Sequence, residues 1–159
     1  TPTPGGEGTE AAVTSGDAGQ DGTTGETEGT DSETASEGDV ELSAGLTTML
    51  AGFSAEDRGR TNPLSGNADA IAKGKGEYDS TCFPCHGPSG QGDGPAASAL
   101  PGKPTNLANA TRAAQMSAGD GFLVMKNGIP ETSMQAFGAA LSDDQIWRIL
   151  AYVETLSAQ

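Results

Sequence analysis

Cys82, Cys85 and His86 stand together in STCFPCHGPSG, residues 80–90, and they are both cysteines and the only histidine of a 159-residue chain. Two thiols spaced C-x-x-C with an imidazole directly after the second admit four chemistries. A structural zinc site needs four protein ligands, and no further Cys or His exists to complete one from those residue types. A thioredoxin-like redox pair opens a helix after a strand. Here the preceding ADAIAKGKGEYDST has helical spacing and no β-branched run. A disulfide would close a very small loop and constrain little of the unfolded chain. Covalent haem attachment remains, with C-x-x-C-H as its signature. Two thiols add to the two vinyl groups, and the imidazole offers Nε2 to the iron. The pentapeptide is short enough to arise by chance, so the rest of the chain must agree.

The elements around it are helical. Asn67 or Ser65 can cap a helix over roughly 68–82, with Ile71, Lys75, Tyr78 and Cys82 on one stripe and Gly74 beside it. A mid-helix glycine costs about 1 kcal/mol relative to alanine, and close approach of a second helix is one reason to keep it. Residues 87–110 are rich in Gly and Pro, a long loop of the kind that is functional when it occurs in a compact domain. Short helices are expected over 111–116 and 119–127, the latter stopped by Gly128. The last helix is the clearest. Ser142 and Gln145 form a capping box, Asp143 and Asp144 favour the first turn, and Ile146, Ile149, Leu150, Val153 and Leu156 make the buried stripe. No strand pattern appears from 63 to 159. The expected fold class is all-α, three to five helices with long loops.

A metal held by His86 has a further ligand position. The soft candidates left are Met49, Met116, Met125 and Met134. Met125 falls within a predicted helix beside Phe122 and Leu123 and suits the core. Met134 lies in a predicted loop, from which a sulfur can point at a metal without breaking a helix, so it is the preferred candidate. Met125 and an open position are the alternatives.

Charge divides the chain differently. Residues 1–45 hold eleven acidic residues and no basic one, which accounts for most of the formal charge of −14. With only Val13, Val40 and Leu42 as larger aliphatics, this stretch cannot bury enough apolar surface to offset its ordering entropy. It is expected to be a disordered acidic tail or tether. As a flexible coil it would span roughly 35–40 Å. Leu46, Met49, Leu50 and Phe53 then fall at helical spacing, so 46–61 is expected to be a short amphipathic connecting segment, either lying on the domain or binding a partner. The domain proper is expected at 62–159. No basic patch points to nucleic acid. No run of eighteen apolar residues is present to cross a membrane.

Four stretches, in order and spacing, carry a family resemblance: NPLSGNADAIAKGKGEYDSTCFPCHG at 62–87, GDGPAA at 92–97, NGIPETSM at 127–134 and FGAALSDDQIWRILAYVETL at 137–156. They resemble class I c-type cytochromes over about 62–157. The resemblance implies one covalent haem c with its iron, bound through Cys82 and Cys85 and ligated by His86 and Met134. It matches Gly74 and Tyr78 to a glycine and an aromatic that cross the last helix near Trp147, Ile149, Leu150 and Tyr152. It matches Pro95 to a proline whose carbonyl accepts the other imidazole N–H; a rigid loop position is the alternative. Pro104, Asn106 and Leu107 would line the haem pocket. No residue clearly matches a propionate partner, and Lys103 and Arg112 qualify on charge alone. Met-Pro is usual in the family, whereas Gln135 follows Met134 here and leaves the loop backbone less restricted.

The function implied is one-electron transfer by a monomer between respiratory or periplasmic redox proteins, since His and Met together leave no open iron site and raise the potential. The alternatives are a cytochrome module of a dehydrogenase or oxidase complex, or a haem enzyme or gas-binding protein with an open site. Covalent haem implies assembly outside the cytoplasm, in the periplasm or another extracytoplasmic space. A lipid-modified cysteine upstream of Thr1 would turn the tail into a membrane tether; a docking arm for a basic partner is the other use. Mass spectrometry of the denatured holoprotein is expected to show the chain with the mass of one haem added. A bare polypeptide mass after expression with haem-attachment machinery would remove this line of inference.

Overall fold

Residues 42–159 are described by a computed structural model. The expected acidic tail therefore lies outside the described residues up to position 41. Seven α-helices and one 3-10 turn make an all-α fold, with no strand among the described residues. In chain order they are α1 (Ala44–Ala51), α2 (Ala55–Arg58), α3 (Ala68–Thr81), α4 (Phe83–His86), the 3-10 turn (Ala97–Ala99), α5 (Ala110–Ala114), α6 (Ala118–Asn127) and α7 (Asp143–Ser157).

Side-chain caps fix most of these starts. The Asn67 carboxamide oxygen accepts from the Ala70 N–H at 3.0 Å, and the Asn109 oxygen from the Arg112 N–H at 2.9 Å. At α7 the expected capping box is present, with Ser142 and Gln145 satisfying each other's backbone N–H. A second box opens α6: Ser117 accepts from the Asp120 N–H at 2.9 Å, and Asp120 accepts from the Ser117 N–H at 3.1 Å. Each such cap is worth about 1 kcal/mol. The box also moves the start of α6 one residue ahead of the predicted 119. The helix predicted around 46–53 stops at Gly52, because Ser54 caps a separate turn, α2, through the Asp57 N–H.

The centre of the fold is the crossing of α3 and α7. Gly74 is buried there, and a Cβ on it would overlap the Arg148 carbonyl. The two backbones touch, which explains a glycine in mid-helix. One turn on, Tyr78 meets Tyr152 edge-on with ring centroids 5.1 Å apart. Ile146 and Ile149 are fully buried beside them, and Phe122 of α6 stacks on Trp147 at 4.5 Å. Burying each such side chain stabilises the fold by about 1.5–3 kcal/mol. Arg148 reaches back from α7 to Glu77 of α3 at 2.6 Å. Buried Asn62 donates to the Trp147 carbonyl at 3.1 Å and to Glu154 at 3.0 Å, fastening the chain that leads into α3.

Residues 44–58 are packed on the domain. Leu46 and Leu50 of α1 are buried with Leu123 of α6, flanked by Met49, Phe53, Met116, Val124 and Ile129. The α2 end abuts the start of α6: a Cβ on Gly119 would overlap the Arg58 carbonyl, and the Ser117 hydroxyl donates to that same carbonyl. Arg58 also pairs with buried Asp120, Nε to Oδ1 at 2.7 Å.

Burial alone would raise the Asp120 carboxyl, but hydrogen bonds from Arg58 and Ser117 outweigh it and hold the group below its ordinary value. A carboxylate depressed in this way stabilises the fold above its unfolded pKa, about 3.9. That stabilisation is lost as pH falls through the folded value. Asp120→Asn is expected to lower the urea midpoint at neutral pH. The gap between variant and parent should close as pH drops below about 4. A gap constant with pH would show that the charge of Asp120 contributes nothing.

Candidate functional site

The C-x-x-C-H segment occupies the end of α3 and all of α4. The Cys82 N–H still bonds to the Tyr78 carbonyl at 2.8 Å, as the last tie of α3. The His86 N–H then turns back to the Cys82 carbonyl at 2.9 Å, which winds Phe83–His86 into a single turn. Its carbonyls would be left bare, since a helix end exposes its last acceptors. The glycine-rich loop supplies the missing donors. Ala96 N–H goes to Pro84 at 2.8 Å, Gly94 N–H to Cys85 at 3.1 Å and Gly92 N–H to His86 at 2.9 Å. Such contact leaves no room for side chains: a Cβ on Gly94 would overlap the Pro84 and Phe83 carbonyls. Gly87 sits at φ +76°, the left-handed region that glycine tolerates. Its carbonyl accepts from the buried Tyr78 hydroxyl at 2.8 Å, tying the segment to the α3–α7 crossing.

The imidazole is oriented by the backbone further along. His86 Nδ1 lies 3.0 Å from the Thr105 carbonyl oxygen. A carbonyl only accepts, so Nδ1 carries the proton and Nε2 keeps its lone pair for a metal. This corrects the expectation for Pro95, which is exposed and does not meet the ring. Pro95 follows Gly94 on the outside of the loop, and the chain runs on to 104–107 before it returns to the imidazole. There the Leu107 N–H bonds the Gly90 carbonyl at 2.6 Å and holds the Thr105 segment of the loop in place. Pro104, Thr105 and Leu107 are half-buried, while Asn106 is exposed and caps the Ala108 N–H.

The electrostatics suit a neutral, apolar site. Burial lowers the His86 pKa, against the Thr105 bond, with the Arg112 charge adding to the lowering. The Cys82 thiol is pushed up to about 12 by burial and by Cys85 beside it. Cys82 and Cys85 form no disulfide with each other. Arg112 is itself half-buried and forms no ion pair among the described residues, so it offers a cation to an anionic group of a ligand. Lys103 is exposed. Two unlinked thiols and an imidazole presenting Nε2 form a donor set that fits haem c.

Of the four methionines, Met125 is buried in the main core, and Met49 and Met116 pack on the α1 side. Met134 stands in the loop between α6 and α7, half-buried against the main core. That loop is tightly tied. Gly128 at φ +71° turns it; a Cβ there would lie 2.7 Å from the Met134 carbonyl oxygen. The Ile129 N–H bonds that carbonyl at 2.9 Å, and the Phe137 and Gly138 N–H groups bond the Met125 and Lys126 carbonyls.

An all-α domain with its thiol–imidazole segment wrapped by one long loop defines a covalent haem-binding class of protein. Residues 71–157 match the Cytochrome c family model, more than half of the chain, and the chain belongs to that family. It accordingly binds covalently attached haem c with its iron and has the chemistry of haem-based electron transfer. No curated protein matches the chain. Among solved structures, a chain of the Kuenenia stuttgartiensis reducing HAO-like protein complex is similar, at 33% identity and TM-score 0.53. The similarity covers 59% of this chain and 46% of that one, so the present chain spans under half of that neighbour's length.

Tyr78→Phe tests how firmly α4 is tied to the helix crossing. It removes the shorter of the two bonds to the Gly87 carbonyl and leaves only the Gly90 N–H at 3.3 Å, at an expected cost of about 0.5–1.5 kcal/mol. Denaturant unfolding measures it. An unchanged midpoint would show that the Gly90 N–H satisfies the Gly87 carbonyl without the hydroxyl.

Proposed function

We propose that the domain is an electron carrier in which Cys82 and Cys85 hold the haem as thioethers and His86 Nε2 and Met134 Sδ are the axial ligands. The observation that carries this reading is the Thr105–His86 bond beside two cysteines that form no disulfide. It fixes tautomer and ring orientation, and such outer partners raise ligand basicity. The haem supplies a one-electron couple; the chain keeps the site dry and the ligands still. Burial keeps the imidazole neutral, the Gly128–Met134 loop limits movement of the sulfur, and the α3–α7 crossing limits movement of the helix that bears the thiols. A ligand set held this firmly changes little between oxidation states, which suits electron transfer more than substrate binding.

The partners in this reading are redox proteins met in small transient encounters, in the periplasm or another extracytoplasmic space, with the acidic N-terminal stretch as tether. Among the described residues no helix is long and apolar enough to cross a membrane. A lipid-modified cysteine upstream of Thr1 would be the anchor in this reading. A second reading, a cytochrome module working within a larger redox assembly, is favoured by the similarity to a chain of a reducing HAO-like protein complex.

Met134→Ala in the haem-loaded protein is expected to lower the potential and abolish the sulfur-to-iron charge-transfer band. Imidazole affinity of the oxidised protein should rise at least about tenfold, equivalent to about 1.4 kcal/mol. If Met125→Ala does this and Met134→Ala does not, the axial assignment is wrong.

A further inference from the structure

The family match begins at residue 71, yet twenty-nine described residues precede it and are built into the domain. Those of α1 and α2 pack on α6 and the loop that follows. Leu46 and Leu50 are buried to 0% and 1% exposure in a cluster separate from the main core. Ile129 packs against that cluster. Gly45, in the first turn of α1, faces the same segment: a Cβ on it would touch the Pro130 carbonyl oxygen at 3.4 Å and the Ile129 side chain at 3.7 Å.

Ile129 is also the residue whose N–H holds the Met134 carbonyl. The Ile129–Met134 pair therefore straddles two apolar clusters. Its Ile129 end belongs to the α1 side, and its Met134 end packs against the main core. Gln135 has no ring to fix the backbone after Met134, and Glu131 within the loop sits at φ +61°, a position that a non-glycine side chain holds at a cost. A short loop with such a residue keeps its shape only when its surroundings determine it. On the Ile129 side those surroundings are α1.

We propose that α1 is a clasp that positions Met134: Leu46 and Leu50 hold Ile129, and the Ile129 N–H holds the Met134 backbone in reach of the iron. This rests on the axial assignment of Met134 given above. Leu46 and Leu50 are positioning residues, acting through Ile129. Loosening the clasp frees the loop, raises the fraction of molecules with the sulfur withdrawn, and opens the sixth position to added ligands. The N-terminal segment thus sets ligand exchange without touching the haem.

The test uses the full haem-loaded chain with two readouts: imidazole affinity of the oxidised form, and hydrogen exchange of the Ile129 amide in the reduced form. Leu46→Ala is expected to raise both at least about tenfold. Leu46→Val, a milder truncation, should raise both in the same order if the alanine variant does not fold. Asn67→Ala, which removes the N-cap of α3 at the end away from the thiols, is the control for general loss of stability and should leave imidazole affinity near the parent value. Unchanged exchange at Ile129 in the Leu46 variants overturns the clasp. So does faster exchange with unchanged imidazole affinity, or an equal rise of affinity in Asn67→Ala. The axial assignment fails separately, if Met134→Ala itself leaves imidazole affinity unchanged; Ile129 exchange then still reports whether α1 holds the loop.

Discussion

The backbone contact between Gly74 and the Arg148 carbonyl is the constraint on which the remaining geometry depends. Two helices can approach this closely only where one lacks a Cβ. Once they do, Tyr78 is carried into the core, its ring against Tyr152 and its hydroxyl on the Gly87 carbonyl. Gly87 ends the turn that bears Cys85 and His86. The site is thus hung from the helix crossing by one aromatic side chain, apolar along its body and polar at its tip. Glu77 and Arg148 close the same interface at its edge. Because that pair is partly exposed, packing contributes more to the interface than the ion pair does.

The loop from Gly87 to Leu107 does two jobs with backbone groups. It satisfies the bare carbonyls of α4 and supplies the acceptor for the imidazole. A site built this way needs glycine where backbones stack. Side-chain chemistry in this segment is confined to the two thiols and the imidazole. The nearby charge acts at a distance: Arg112 is half-buried, and its field adds to the burial that lowers the His86 pKa.

The parts of this arrangement that were legible in the sequence are those written in side-chain types. C-x-x-C-H, the Ser142–Gln145 box and the stripe from Ile146 to Leu156 each have a local grammar, and so does the helical spacing of Leu46, Met49 and Leu50. Gly74 was legible as a close approach, and the family resemblance named the helix it meets. The Ser117–Asp120 box uses the same grammar as Ser142–Gln145, but Gly119 and Gly121 beside it blurred the start of α6. Thr105 was not legible at all. It acts through its carbonyl, which every residue possesses, so position in the fold alone selects it; Pro95, with a matching carbonyl nearer in sequence, was the natural but mistaken choice. What α1 packs on was likewise hidden, because a periodic apolar stripe says that a face is buried and not against which partner.

The 3-10 turn Ala97–Ala99 and the exposed stretch after it hang between fixed points. On one side Gly94 and Ala96 are bonded to α4; on the other Thr105 and Leu107 are bonded to His86 and Gly90. The ends of this excursion are therefore set independently of what lies between them. Lengthening a loop whose ends are already held costs little, about 0.6 kcal/mol for each doubling. Residues 97–103 are accordingly the place where an inserted peptide, a recognition tag or a whole grafted module can be carried without moving the imidazole. Variation in this stretch is a route by which such a domain can acquire a new partner while its electron-transfer site stays as it is.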